Sequence, residues 1–360
     1  MAFVLNSNIK IGSYAFTGGV HELTIKKNIH VIVDTAKLEI PGLGQVVSIK
    51  SVVNTALNII GLGQVPVANN LPNSSVQTAK LFNEGDKVSI DLGYNGDLCN
   101  EFRGFVRRVN LTTPVSIEME GYAWQLRNQN FNQSWKATTV RDVLTFIIQG
   151  TDIVLSPNIP VIALTDFKIT NVSGLTVLDD FKNKMLLTVY FADNVLYAGI
   201  EEGRVTYPGT HGANAAGPLA QVNYNIGYNC ISQQPDLKQR LAKDNLVLVK
   251  MTAKTNSGVN VVYQTGDANG EVHNTNIPFI KDAAALKVLG DDALNKLKYD
   301  GFEGKVTGFL QPYCLPGWQC KITDKRYAGA RAGTYFVAGT EVTYGVRGAK
   351  RLTEITYRIS

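Results

Sequence analysis

The sequence is short of the residues that do chemistry. Its 360 residues include four histidines and four cysteines, and only 18% are charged. His21 and His30 each stand alone in an alternating stretch, and His211 lies in a Gly/Ala-rich one without an acidic or cysteine neighbour. Proton transfer needs a positioned partner, so His21 and His30 read as solvent-facing or structurally satisfied. Cys99, Cys230, Cys314 and Cys320 are scattered; the last two are close together but lack the second pair that a zinc site requires. Buried structural thiols are expected of them. There is no Gly-x-Ser-x-Gly, no His-Glu-x-x-His and no P-loop. The adjacent pairs Asp179-Asp180 and Asp291-Asp292 point different ways on a helix, and Glu118 and Glu120 read as one solvated strand face. No catalytic, cofactor-binding or metal-binding residue is expected, because active sites need mutually positioned groups.

Other absences narrow the class further. No run approaches the ~20 apolar residues of a membrane-spanning helix. The net charge is +5, yet no basic run exceeds two residues, which argues against nucleic-acid recognition. The first residues, MAFVLNSNIKIG, lack a basic region followed by an apolar run, so a chain made and kept in a cytoplasm is expected. Apolar residues make up 44%, enough for two or three folded domains.

What is present is alternation. Val88, Ile90 and Leu92 alternate with polar residues, as do Val115, Ile117 and Met119, and between them lies a stretch carrying Phe102, Gly104 and Val106. Period-two alternation marks half-buried strands, and Tyr94-Asn95-Gly96-Asp97 predicts a tight hairpin. Two earlier alternating runs, 20–27 and 29–40, read as strands. Near the end, Leu315-Pro316-Gly317-Trp318-Gln319-Cys320-Lys321-Ile322-Thr323-Asp324 repeats the shape of Asn83-Glu84-Gly85-Asp86-Lys87-Val88-Ser89-Ile90-Asp91: a turn ending in Gly, a strand with apolar residues two apart, then an Asp. Alternating stretches from Thr334 and Leu352 then close the chain, so a duplicated barrel is expected.

Residues 42–80 differ in kind. Gly42-Leu43-Gly44-Gln45-Val46 recurs as Gly61-Leu62-Gly63-Gln64-Val65, and Ile49, Val52, Val53, Ala56, Leu57 and Ile60 between them share a helical face. This helix either lids its own barrel or docks on a neighbouring subunit. From Gln125 to Gly203 the pattern is mixed. A helix opens at Thr139-Val140-Arg141-Asp142, a second spans Thr176–Met185, and a hairpin joins strands at Thr188–Phe191 and Val195–Gly199. Trp124 and Trp135 read as packing at a domain junction. Residues 204–223 read as a boundary or long loop, Asn256-Ser257-Gly258 as a hairpin turn, and 282–298 as a helix. Gly266-Asp267-Ala268-Asn269-Gly270-Glu271 lacks the carboxylate that completes a calcium loop and reads as a turn.

The order of these pieces resembles the late control protein D family, the baseplate hubs of contractile-tailed phages. The resemblance rests on Ile32–Ile40, Gly85–Tyr94 and Phe102–Val106 for a first barrel. Thr139–Leu144 and Leu196–Gly199 match a small inserted domain, and Tyr299–Gly304, Leu315–Gly317 and Gly333–Val337 a second barrel. The insert at 42–80 is longer than the family pattern. The resemblance implies a β-rich α+β chain: a tube-protein-like antiparallel barrel at 1–123, a small α/β domain at 124–205, and a second such barrel at 206–360. It implies a homotrimer, with the tail tube protein, a central spike protein and other baseplate proteins as partners, in a virion tail baseplate assembled in a bacterial host's cytoplasm. Duplication would turn a trimer into a pseudo-hexamer matching a six-fold tube to a three-fold spike. Two other classes stay open on the residues alone. A carbohydrate or cell-wall binding protein predicts an exposed aromatic platform, with Tyr14, Phe16, Trp135 and Tyr313 as candidates. A hydrolase with a site assembled from distant residues predicts a histidine beside a carboxylate.

Overall fold

The computed structural model describes residues 4–16, 20–41, 43–44, 47–48, 76–77, 81–200, 220–231, 236–254, 260–325 and 329–359. The expected helix between the two Gly-Leu-Gly-Gln-Val copies, the stretch 204–219 with His211, and the Asn256-Ser257-Gly258 turn lie outside these residues.

The N-terminal half contributes β1 (Leu5–Ile11), β2 (Tyr14–Phe16), β3 (Glu22–Asn28), β4 (Thr35–Ile40), β5 (Leu43–Gly44), β6 (Val47–Ser48), β7 (Val76–Gln77), β8 (Lys87–Tyr94), β9 (Asp97–Asn110) and β10 (Val115–Glu120). The middle holds β11 (Asn130–Thr139), α1 (Val140–Ile147), β12 (Val154–Leu155), β13 (Ala163–Ser173), α2 (Gly174–Lys184), β14 (Thr188–Ala192) and β15 (Val195–Gly199). The C-terminal half has β16 (Gln221–Asn225), β17 (Asp236–Arg240), β18 (Val247–Lys254), β19 (Asn260–Gly266), β20 (Glu271–Asn276), α3 (Ala283–Leu297), β21 (Gly301–Gly308), β22 (Gln319–Thr323), β23 (Gly333–Gly345) and β24 (Gly348–Arg358).

Fourteen strands form one sheet, and its order exposes a duplication. One stretch runs β3-β4-β10-β9-β8-β1 and the other β17-β21-β24-β23-β22-β16. Numbered along the chain within each set, both orders are second, third, sixth, fifth, fourth, first. The turn before the fourth strand repeats in hydrogen-bond detail. Gly85 N–H donates to Val106 O and Gly317 N–H to Val337 O, both at 2.8 Å. Val106 N–H returns to Asp86 O and Val337 N–H to Trp318 O, both at 2.9 Å. Gly85 and Gly317 sit at φ of +87° and +84°, the left-handed region where a side chain is disfavoured. A register shift also recurs, at Glu118/Met119 opposite β9 and at Val337/Gly339 in β23. The repeats differ at their first strand: β1 is antiparallel to β8, whereas β16 is parallel to β22.

The two expected β units are therefore present, but joined. Among the described residues, instead of two separately closed barrels, β23 pairs β3 from Gly339↔Asn28 to Gly345↔Glu22, giving one open ladder across both halves. Ile9, Ile11, Leu23, Ile25, Leu38, Ile90, Phe102, Val106 and Ile117 face a common interior in the N-terminal half. Each buried aliphatic side chain of this size stabilises the fold by roughly 1.5–3 kcal/mol. The inward residues of the C-terminal strands, such as Tyr224, Cys320, Phe336 and Ile355, share a core with α1, α2 and α3.

Local signals explain most elements. Asn95 and Gly96 take φ of +53° and +87° in the β8–β9 hairpin. Thr139 and Asp142 form a reciprocal capping box at the start of α1. Ser173 caps α2, which begins at Gly174, two residues before the expected Thr176. The Gly266–Glu271 turn places Asp267 against Lys298 at 2.5 Å and against Val247 N–H at 3.2 Å. The alternating run 29–40 is strand only from Thr35. Asn28 accepts a bond from His30 N–H at 2.8 Å and turns the chain, so Ile29 and Ile32 drop into the core shared by the middle and C-terminal elements.

Candidate interaction surface

The most elaborate polar cluster lies where the halves meet. Arg351 on β24 is fully buried, and so is Glu101 on β9. The Arg351 guanidinium donates to Glu101 at 2.5 and 3.2 Å, to Leu310 O at 3.2 and 3.4 Å, and to Cys314 O at 3.0 Å. It stands 5.2 Å from the Tyr313 ring, whose hydroxyl donates to Asn100 O at 2.7 Å. Burial alone would lower the Arg351 pKa, but the Glu101 charge and its hydrogen bonds hold it above the ordinary arginine value. A buried ion pair is tolerated only when its remaining donors and acceptors are satisfied. Here Leu310 O and Cys314 O of the C-terminal half meet the remaining guanidinium donors, and the Glu101–Arg351 pair itself spans the halves, so the cluster locks one repeat onto the other.

Alternation hides Glu101. It lies two residues from the exposed Arg103, but the register shift at Ile90/Asp91 turns it inward beside Phe102. Arg351 is 250 residues away, so no local pattern connects the two. Glu120 departs in the same sense. It reads as solvated, yet it is buried and takes a two-pronged contact from Arg127 at 2.8 and 3.0 Å, with Arg107 at 3.1 Å. Glu118 instead accepts from Asn110 at 3.0 Å.

A cleft of about 1010 Å³ opens beside the lock, between Leu5, Tyr94 and Asp97 of one half and Phe309, Tyr344 and Lys350 of the other. Tyr228 and Phe309 line it and Val346 stands at its hairpin tip, with exposures of 84%, 47% and 72%. Contiguous exposed apolar groups generally mark contact sites.

The other residues singled out above do not converge. Phe16 is buried and Tyr14 packs edge-on against Phe82 at 6.2 Å. Trp135 packs on Phe146 and Phe167 in the middle of the chain, while Tyr313 packs on Trp318 in the lock. They form no common platform. Trp124 stacks on Phe105 at 5.1 Å, at the end of the N-terminal unit. His21 and His30 are exposed, and Lys182 donates to His30 O. Asp180 bridges Lys184, Asp291 accepts from Tyr263, and Asp292 bridges Lys296. The four cysteines are buried thiols without a disulfide, and burial pushes Cys230 up to about 11 and Cys314 up to about 12. Among the described residues no three His, Cys, Asp or Glu side chains gather around a common point.

No family model and no curated protein matches the sequence. Solved structures do match its shape. A tail protein from Neisseria meningitidis MC58 superposes with a TM-score of 0.60 at 14% identity, over 98% of this chain and 96% of that one. The chain has the fold of phage tail proteins. The 43 kDa tail protein of prophage MuSo2 from Shewanella oneidensis matches at 0.58 and 9% identity, over 98% of both chains. An Escherichia coli component of the type VI secretion system, itself structurally similar to T4 bacteriophage tail proteins, matches at 0.51 and 11% identity, over 98% of this chain and 77% of that one. No helix among the described residues is long and apolar enough to cross a membrane.

Proposed function

We propose that this chain is a structural baseplate hub of a phage or prophage tail, without a catalytic step. Three copies form a ring that adapts a six-fold tail tube to a three-fold spike, with the tube protein, the spike protein and other baseplate proteins as partners. The chain divides into a first tube-like unit at 1–123, a small α/β unit at 124–205 and a second tube-like unit at 206–360. It assembles in the bacterial cytoplasm and resides in the tail baseplate of the virion.

One observation carries this reading: two six-strand sets with one strand order inside a single chain. A chain that contributes two like units to a ring gives twice as many units as copies, which is how a three-fold assembly meets a six-fold one. The fold likeness to tail proteins over nearly the whole chain supports it. The test is the solution mass by light scattering across a concentration range. The reading predicts three chains per particle; a single chain at every concentration overturns it.

A further inference from the structure

The duplication makes the contact between the two halves a template for a contact between chains. Within the chain, the fifth strand of the C-terminal repeat, β23, pairs on its outer edge with the second strand of the N-terminal repeat, β3. The converse pair is the fifth strand of the N-terminal repeat, β9, and the second strand of the C-terminal repeat, β17. Among the described residues, β9 beyond Val106 is laddered only to β10, and β17 only to β21. Each therefore presents one open edge, the element that sheets generally cover or pair.

The ladders fix the register. Val106↔Met119 and Arg108↔Glu118 in the first repeat match Val337↔Ile355 and Gly339↔Glu354 in the second. Met119↔Ala36 matches Ile355↔Gly304, and Ala36↔Ile25 matches Gly304↔Leu237. So Val109, Asn110 and Leu111 occupy the places of Thr340, Glu341 and Val342. Leu237, Lys238 and Gln239 occupy those of Ile25, Lys26 and Lys27. The intrachain pairs Thr340↔Lys27, Glu341↔Lys26 and Val342↔Ile25 then translate to Val109↔Gln239, Asn110↔Lys238 and Leu111↔Leu237.

We infer that β9 of one copy pairs with β17 of a second copy of this chain in this register, extending the sheet from chain to chain. Leu111 supports the assignment independently. It is the first residue after β9 and is 81% exposed, whereas its counterpart Val342, inside β23 and paired with Ile25 of β3, is 2% exposed. A leucine bared at the one place where the repeat supplies a covering strand is accounted for by a missing neighbour. Asn110 opposite Lys238 stands where Glu341 contacts Lys26 at 3.8 Å. Arg108 replaces Gly339, whose close approach to Asn28 leaves no room for a side chain, so pairing starts at Val109. The contact is head-to-tail, which closes into a ring when the rotation per copy permits. This inference rests on the hub reading for the number of copies and adds which edges meet.

Directly opposed residues on antiparallel strands lie about 4.5–5.5 Å apart, within disulfide reach. The test is the full chain carrying Asn110→Cys and Lys238→Cys, oxidised and run under non-reducing conditions. Expected are covalent species of two and three chains holding most of the protein. Glu341→Cys with Lys26→Cys, the intrachain counterpart, should close without any change in mass. Thr112→Cys with Lys238→Cys, two residues out of register, should remain mostly single chains. An oligomer by light scattering that shows no linkage at 110/238, or links equally out of register, overturns this contact and leaves the hub reading intact. A chain that stays single and unlinked at every concentration overturns both.

Discussion

The two repeats share a strand order but are held by different chemistry at their edges. Where β23 meets β3, the contact is backed by the buried Glu101–Arg351 lock and by Gly339, which lets the strands approach. The matching positions of the other repeat are Val115 for Arg351 and Arg108 for Gly339, so the β9 edge has neither device. The contact within one chain is permanent and is built as core. An edge meant for a second copy must also survive alone in water, and β9 and β17 meet that need with Arg107, Arg108, Lys238 and Gln239 exposed.

The largest expected effect comes from Arg351→Ala. It leaves the Glu101 carboxylate buried without its partner and should cost about 3–5 kcal/mol in denaturant unfolding. Val115→Ala, at the matching place, removes a smaller apolar group and should cost less, about 1–2 kcal/mol. Equal losses would break the contrast between a locked and an unlocked edge. Next is Gly339→Val, whose Cβ would meet Asn28 Nδ2 at 2.6 Å. The expected loss is about 1–3 kcal/mol, against less than about 0.5 kcal/mol for Arg108→Val in the single chain. Gly85→Ala and Gly317→Ala probe what the repeats share. Both place a methyl group at positive φ and should cost about 1–2 kcal/mol each; a large disparity would show that the two turns are not equivalent. Gly85 carries a further contact, since its Cβ would stand 3.0 Å from Trp124. The smallest effect is expected from Lys26→Ala, whose ion pair with Glu341 is largely exposed. It should change stability by less than about 1 kcal/mol.

Much of this fold was legible in the residues, and the exceptions have physical causes. Val88, Ile90, Leu92, Ile117 and Met119 announce buried strand faces because each strand has one face on the core. The echo of Asn83–Ile90 in Leu315–Ile322 reflects the same turn and the same hydrogen bonds. The break at Asn28–Asp34 is invisible to alternation, because a side-chain-capped turn and a strand can carry one apolar pattern. Glu101 is hidden by a register shift, and Arg351 by distance along the chain. The union of the two units into one sheet is set by β23, long enough to pair β22 with its first residues and β3 with its last. Leu111 is the missed signal that could have been found: an apolar residue where a short hairpin turns, aligned with Val342 once the repeat is laid out.

The most direct measurement of the central claim is the rotational symmetry of single particles of the purified chain, from class averages of negatively stained images. The account predicts closed three-fold rings showing six similar lobes, with the two kinds of contact alternating around the ring. Two-fold particles, or rings whose lobes fall into two clearly unlike kinds, would contradict it.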